Sequence, residues 1–268
     1  MSQQYVLAEK KEGVGTLVLN DPAKMNALSQ PLAAALAEGL EDLWYDPAVR
    51  AVVIRGAGGN FSAGGDLKGM KQRADCYRRG EEPGSDARRN LRNLNKLTAL
   101  VRKMEKPVIA WMEGAVAGGG LSLAMACDFS IAEEGCKLVF AFANIGLAPD
   151  MGSSLLLTRR VGASRATELM MLGSRFSGRQ AADWGIITEA VPADELQGRV
   201  TALARKLAGG PTCSYAAVKA AINRAMYRGL DDVLTAETEA QGALVRTEDH
   251  MEAVTAFMEK RKPVFQGK

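Results

Sequence analysis

The stretch Lys106-Pro-Val-Ile-Ala-Trp-Met-Glu-Gly-Ala-Val-Ala-Gly-Gly-Gly-Leu-Ser122 decides how this chain is read. An apolar, strand-like run closes in Gly118, Gly119 and Gly120, and a helical pattern through Leu121, Leu123, Ala124, Met125 and Cys127 begins at once. Glycines at a strand-to-helix turn bare the backbone where a helix leaves its first N–H groups unpaired, so such a turn can approach and polarise a negative oxygen. A second small-residue turn, Phe61-Ser-Ala-Gly-Gly-Asp66, also follows a strand, Ala51–Arg55. Two such turns can each supply one N–H to a single oxyanion.

Working outward, the first half alternates strands and helices. Val14–Leu19 is a β-rich run closed by Asn20-Asp21-Pro22, and Ser29 opens a helix with Leu32, Leu36, Leu40 and Leu43 on one face. Lys68 to Asn90 is rich in charge, with Gly80, Pro83 and Gly84, and reads as a surface loop. A helix is expected over Leu91–Met104 and short strands over Phe129–Ala132 and Leu138–Phe140. Helices follow over Met151–Arg160 and Ala163–Leu172. Ser177-Gly-Arg-Gln180 has capping-box form, and Ile186–Val191 is a last strand. From Asp194 to Lys262 the pattern is helical, broken at Gly209-Gly210-Pro211 and Gly229. The expected organisation is an α/β core over residues 1–195 and a C-terminal helical region over 196–268, whose apolar faces invite a partner subunit.

Composition narrows the chemistry. The chain has 268 residues, 47% hydrophobic and 24% charged, as in soluble globular proteins. A net charge of +3 does not favour general nucleic-acid binding. Four cysteines without disulfide or zinc spacing indicate a reducing compartment, and the polar N-terminus does not read as a signal peptide, so a cytoplasmic location is expected. No apolar run approaches the roughly 20 residues of a membrane helix. The single histidine, His250, lies in an acidic segment that reads as the start of a surface helix, which argues against Ser-His-Asp and Cys-His mechanisms. No Asp/Glu cluster has metal-ligand spacing. Glu113 reads as structural, and Arg78, Arg79, Arg88, Arg89 and Arg92 as a solvated cluster rather than an RNA site.

Seven motifs in order resemble the crotonase (enoyl-CoA hydratase/isomerase) superfamily. They are Pro22-x-Lys24-x-Asn26-Ala27-Leu28, Phe61-Ser-Ala-Gly-Gly-Asp66, Lys106-Pro-Val-Ile-Ala, Gly114-x-x-x-Gly-Gly-Gly120, Cys127-Asp128, Ile145-Gly-Leu-x-Pro-Asp150-x-Gly, and Ala256-Phe-x-x-Lys-Arg. The resemblance implies an α/β spiral of repeated ββα units, a C-terminal helical trimerisation region, and a homotrimer or dimer of trimers. It also implies a coenzyme A thioester as substrate, with no permanently bound cofactor. Carried over by motif, the oxyanion donors are Gly65 and Gly119. The CoA neighbours are Lys24, Ala27, Ala63 and Leu67, with Phe257 and Lys260 touching CoA from a neighbouring subunit.

The chain departs from the family's hydratases, which add water with two glutamates. Those positions hold Ser122, two residues after the last glycine, and Phe142, four before the glycine of Ile-Gly-Leu. A lone hydroxyl is a poor general base and Phe142 shapes an apolar wall. The remaining acid is Asp150, similar in placement to that of 1,2-epoxyphenylacetyl-CoA isomerases and dienoyl-CoA isomerases. An N-cap role for Asp150 is the competing reading. The dehalogenases of the family place their Asp similarly, but no histidine stands near Asn95 to assist it. The expected activity is therefore a Δ3-to-Δ2 enoyl-CoA isomerisation, or a related ring-acyl-CoA isomerisation, through a thioester enolate. The alternatives are a hydratase with a non-standard acid/base, or a noncatalytic acyl-CoA- or RNA-binding protein on the same scaffold.

Overall fold

The computed structural model describes residues 3–84 and 86–268. Its main sheet opens with a hairpin, β1 (Val6–Lys11) antiparallel to β2 (Val14–Leu19), turned at Glu12-Gly13. The exposed β1 was not expected from the sequence: only Val6 is buried, so it carries almost no apolar signal. α1 (Gln30–Tyr45) follows, its Leu32, Leu36, Leu40 and Leu43 buried as the spacing predicts. β3 (Ala51–Gly56) then pairs parallel with β2.

The charged 68–90 segment is mostly helical, which corrects its reading as a loop. α2 (Leu67–Arg78) is capped by Asp66, whose Oδ1 accepts from Gly69 N–H at 3.3 Å, and α3 (Ala87–Lys103) by Asp86, which accepts from Arg88 N–H at 2.9 Å. Ala74 is the one fully buried residue of α2, so the helix lies on the surface and its amphipathic signal is weak.

The opening motif resolves into β4 (Val108–Met112), a Glu113-Gly114 turn, β5 (Ala115–Ala117) and α4 (Gly119–Ala126). β6 (Phe129–Glu133), β7 (Lys137–Val139), α5 (Ser153–Leu172), β8 (Phe176–Ser177), α6 (Gly178–Asp183) and β9 (Glu189–Val191) follow. α5 is kinked at Gly162, and α6 starts with the expected capping box. β9 is shorter than expected because Ile186 and Ile187 instead bond back to Ala181 O. The six-stranded sheet runs β1-β2-β3-β4-β6-β9, and a smaller one runs β5-β7-β8. Successive ββα units thus lay one strand in each sheet and a helix behind, the spiral that the sequence motifs imply.

Four helices complete the chain: α7 (Leu196–Ala208), α8 (Thr212–Met226), α9 (Leu230–Leu244) and α10 (Glu248–Met258). α7 covers the outer face of the main sheet through Leu196, Val200, Ala204 and Leu207. α8 is tied to the core by a buried charge cluster: Lys219 Nζ donates to Asp128 Oδ2 at 2.7 Å and Arg102 Nη1 to Asp128 Oδ1 at 3.3 Å. α9 packs on α3, and α10 on α2.

Candidate active site

A cavity of about 770 Å³ opens between the two glycine-bearing turns, α2, α3 and α9. Its polar floor is made of backbone. Segment 61–64 runs beside β5: Ser62 N–H donates to Ala115 O at 3.2 Å and Ala117 N–H to Ser62 O at 2.9 Å. Segment 25–28 joins from the other side, with Ala63 N–H donating to Met25 O at 2.9 Å and Leu28 N–H to Gly64 O at 2.7 Å. The buried Ser62 hydroxyl donates to Asn26 O and accepts from Gly64 N–H. Asn26 itself locks the turn by donating to Ala57 O and Asn60 O. Three motifs that lie far apart in sequence are therefore stitched into one surface.

That stitching brings Gly65 and Gly119 together at the cavity. A Cβ placed on Gly64 would fall 3.4 Å from Gly119 N, so the two turns touch. Gly118 adopts φ 46°, ψ −122°, a conformation only glycine takes readily, and it turns the chain from β5 into α4. Neither Gly65 N–H nor Gly119 N–H meets an acceptor among the described residues, and both residues line the cavity. The cavity thus has two backbone donors without partners, one in a segment held by sheet pairing and one at the α4 N-terminus.

Asp150 borders the same floor. Its Oδ1 lies 3.6 Å from where a Gly119 Cβ would stand. The residue as a whole is half-buried because it faces the cavity, yet Oδ1 is shielded from water and has no hydrogen-bond partner. Its Oδ2 has only Gln241 Nε2, at 3.5 Å. Burial pushes the carboxyl up to about 8, and the nearby charge of Glu237 adds to the shift. Asp150 is not the cap of α5. Gly152 is the N-cap, with φ 78°, and the acid that satisfies this helix start is Glu237. Glu237 Oε2 accepts from Gly152 N–H at 2.7 Å, and Oε1 from Ser154 N–H at 3.1 Å and from the Ser154 hydroxyl. Sequence reasoning missed Glu237 and Gln241; they are four residues apart on α9, and nothing local marks them as partners of a turn near residue 150.

The other expected residues divide. Lys24, Ala27, Ala63, Leu67 and Phe142 all line the cavity, Lys24 exposed and Phe142 buried behind Gly118. Ser122 does not. It is fully buried, and its hydroxyl donates to Gly118 O at 3.2 Å inside α4. Phe257 lines the cavity of its own chain, because α10 folds back over α2, while Lys260 is exposed beyond the helix end. Met70, Leu91, Leu94, Leu147 and Val245 supply apolar walls.

His250 is corrected from a surface residue to a buried one. Thr247 caps α10, His250 points inward, and its Nδ1 donates to Ile145 O at 2.7 Å. The single histidine thus anchors α10 on the segment after Phe142 and does not line the cavity. All four cysteines are free, and burial pushes the Cys127 and Cys136 thiols up to about 12. Among the described residues no group of three or more His, Cys, Asp or Glu side chains gathers as a metal site, and no helix is long and apolar enough to cross a membrane.

Comparison with known proteins identifies the family and the fold. The sequence model of the enoyl-CoA hydratase/isomerase family matches residues 9–268. The chain is 37% identical over 265 residues to a 1,2-epoxyphenylacetyl-CoA isomerase of Escherichia coli, covering 99% of each chain. It is 32% identical over 268 residues to a trans-2-decenoyl-[acyl-carrier-protein] isomerase of Streptococcus mutans, covering all of both. An enoyl-CoA hydratase structure from Mycobacterium avium subsp. paratuberculosis superposes with a TM-score of 0.87 at 32% identity, covering 98% of each chain.

Proposed function

The chain belongs to the enoyl-CoA hydratase/isomerase family and is an enzyme of that family; within it, we propose an acyl-CoA isomerase that moves a double bond from the 3,4 to the 2,3 position. One observation carries this reading. Two carboxyls line the cavity with Gly65 and Gly119: Asp66 is engaged as the cap of α2, whereas Asp150, its Oδ1 3.6 Å from where a Gly119 Cβ would stand, is poorly solvated and nearly unbonded. Water addition needs one group to activate water and another to deliver a proton; a proton shift needs one group that does both in turn. Ser122 and Phe142 add no acid–base group to the site.

The mechanism follows from the geometry. With the thioester oxygen accepting from both N–H groups, the Asp150 carboxylate takes a proton from Cα. The C–H electron pair becomes the Cα–C(O) π bond of a dienolate, and the charge moves onto oxygen. One preorganised donor of this kind contributes roughly 3 kcal/mol to the transition state. Protonated Asp150 then returns the proton at Cγ, and the double bond settles at 2,3 with no net change in atoms. A base raised toward 8 is better matched to a weakly acidic Cα–H than an ordinary carboxylate. Its reactive form is the ionised one, so kcat/KM rises with pH and levels above about 8.

The test is direct. A 3-enoyl-CoA is expected to be converted rapidly to the 2-enoyl isomer, while crotonyl-CoA is not hydrated; hydration without isomerisation overturns the proposal. Asp150→Asn is expected to lower turnover by about 10³-fold or more while substrate binding persists. For assembly and place, we propose a homotrimer, alone or paired, in the cytoplasm. Val218, Ile222 and Met226 form an exposed apolar stripe along α8 that supports packing between copies, and four free thiols support a reducing compartment. Sedimentation of a monomer would remove the assembly.

A further inference from the structure

Behind Asp150 lies a second, more deeply buried carboxylate for which the proton shift has no direct use. We propose that Glu237 is a positioning residue: by capping α5 from the neighbouring helix α9, its carboxylate fixes the Met151-Gly152 turn and so holds Asp150 against Gly119. The inference rests on the reading of Asp150 as the proton-transfer group.

The turn needs holding. Met151 and Gly152 both have positive φ, 54° and 78°, and Met151 is a residue for which that conformation is unfavourable. Five contacts pin it. Thr98 Oγ1 on α3 donates to Met151 O at 2.8 Å, and Gln241 Nε2 on α9 donates to Ala148 O at 2.7 Å. Glu237 takes the Gly152 N–H and both donors of Ser154. Glu237, Gln241 and Thr98 are all buried. α5 has no side-chain cap of its own at Gly152, so its first N–H groups depend on Glu237.

The same contacts decide which acid is charged. Burial pushes Glu237 up as well, but its three donors and the positive end of α5 oppose that and favour its anion. Asp150 has one long contact and no such support. The three donors on Glu237 and the one long contact on Asp150 thus favour the charge on Glu237 and the proton on Asp150. Other charges stand around the pair without an ion pair to either acid among the described residues. Arg88 of α3 packs on α9 at Gly242 and pairs with the exposed Glu239, Lys103 of α3 lies 3.8 Å from the exposed Asp231, and Asp66, Arg73, Lys137 and Arg175 line the cavity that Asp150 faces. Asn95 and Thr98 are the α3 side chains bonded to α9 and to Met151 O, and α4 carries no charged side chain.

The experiment is Glu237→Gln in the full-length enzyme, with 3-enoyl-CoA as substrate. The carboxamide keeps the size and one acceptor but removes the charge. The acid limb of the kcat/KM profile is expected to move down by about one pH unit. At the plateau kcat falls, by roughly tenfold from a loosened turn, with KM little changed. The carboxyl stretch of Asp150, isolated in the infrared as the band lost in Asp150→Asn, should titrate at correspondingly lower pH without substrate. A profile and a band that both superimpose on wild type overturn the positioning role. If Asp150→Asn keeps turnover, the proton-transfer reading fails, while the infrared titration still reports on Glu237. Should Glu237→Gln not fold, Gln241→Leu removes the adjacent pin. It is expected to lower kcat several-fold with KM held, and unchanged kinetics overturns the clamp.

Discussion

The Gly118–Gly120 turn and the Asp150–Gly152 turn lie against each other and are built in opposite ways. The first is fixed by main chain: β5 pairs with β7 and with segment 61–64, and side chains are absent where substrate must approach. The second is fixed by side chains reaching from α3 and α9. Backbone pairing gives a donor pair that is rigid and insensitive to pH. A side-chain clamp gives an acid whose proton affinity follows its neighbours. A proton shift through an enolate calls for one of each: a constant oxyanion site and a tunable base.

The largest break in this comparison is expected at the contact between the turns. Gly119→Ala leaves the N–H in place but sets a Cβ 3.1 Å from Met151 Sδ, 3.3 Å from Leu28 Cδ1 and 3.6 Å from Asp150 Oδ1. It intrudes between donor and acid, so kcat/KM should fall by about 100-fold, as misplacements near 1 Å do. Steady-state kinetics on 3-enoyl-CoA checks this, and wild-type activity would show that the two turns do not share a substrate.

The acid turn makes its own prediction in stability. Burial raises Asp150 to about 8 from an ordinary 3.8, so between these pH values the folded state holds a proton that the unfolded chain has lost. Stability therefore falls as pH rises through this window. Asp150→Asn has no charge to bury. Its melting temperature should match wild type near pH 4 and exceed it by roughly 10 °C near pH 8.5, by scanning calorimetry. A constant difference across that range would mean Asp150 titrates normally.

The same contrast explains what could be read from sequence. The backbone-built turn was legible because its glycines are contiguous and sit where a strand pattern gives way to a helix. Asp150 was legible as an acid in a motif, but its N-cap alternative fell only when Gly152 and Glu237 were seen at the helix start. Glu237 and Gln241 were illegible, since a clamp that spans more than eighty residues leaves no local pattern. Burial decided the other misses. α2 has the composition of a loop because it buries almost nothing, and His250 was read from acidic neighbours while its own side chain turns inward to Ile145 O.

Gly65 offers a milder test of the backbone-built side. A Cβ there would stand 2.4 Å from Met70 Cε, the far end of a flexible side chain that can swing aside. Gly65→Ala should thus cost only about fivefold in kcat/KM, and Met70→Ala in the same chain should restore most of it. A loss as large as that at Gly119, unrelieved by the second change, would mean that Gly65 is needed for backbone conformation as well as space.

The smallest effect belongs to the cavity mouth, where neither kind of construction applies. Lys24 is exposed, in a 3-10 turn over Pro22–Lys24, and its Nζ is 3.9 Å from Asp21 Oδ2. With its side chain 46% exposed, it would meet a CoA phosphate, on the binding mode proposed, as a screened point charge. Lys24→Ala should raise KM by about threefold and leave kcat unchanged, the signature of binding that does not discriminate the transition state. Raising ionic strength should erase the difference between variant and wild type, because the charge is in water. A fall in kcat instead would place Lys24 in contact with the reacting end of the substrate, which the proposed mechanism sets beside Gly65, Gly119 and Asp150.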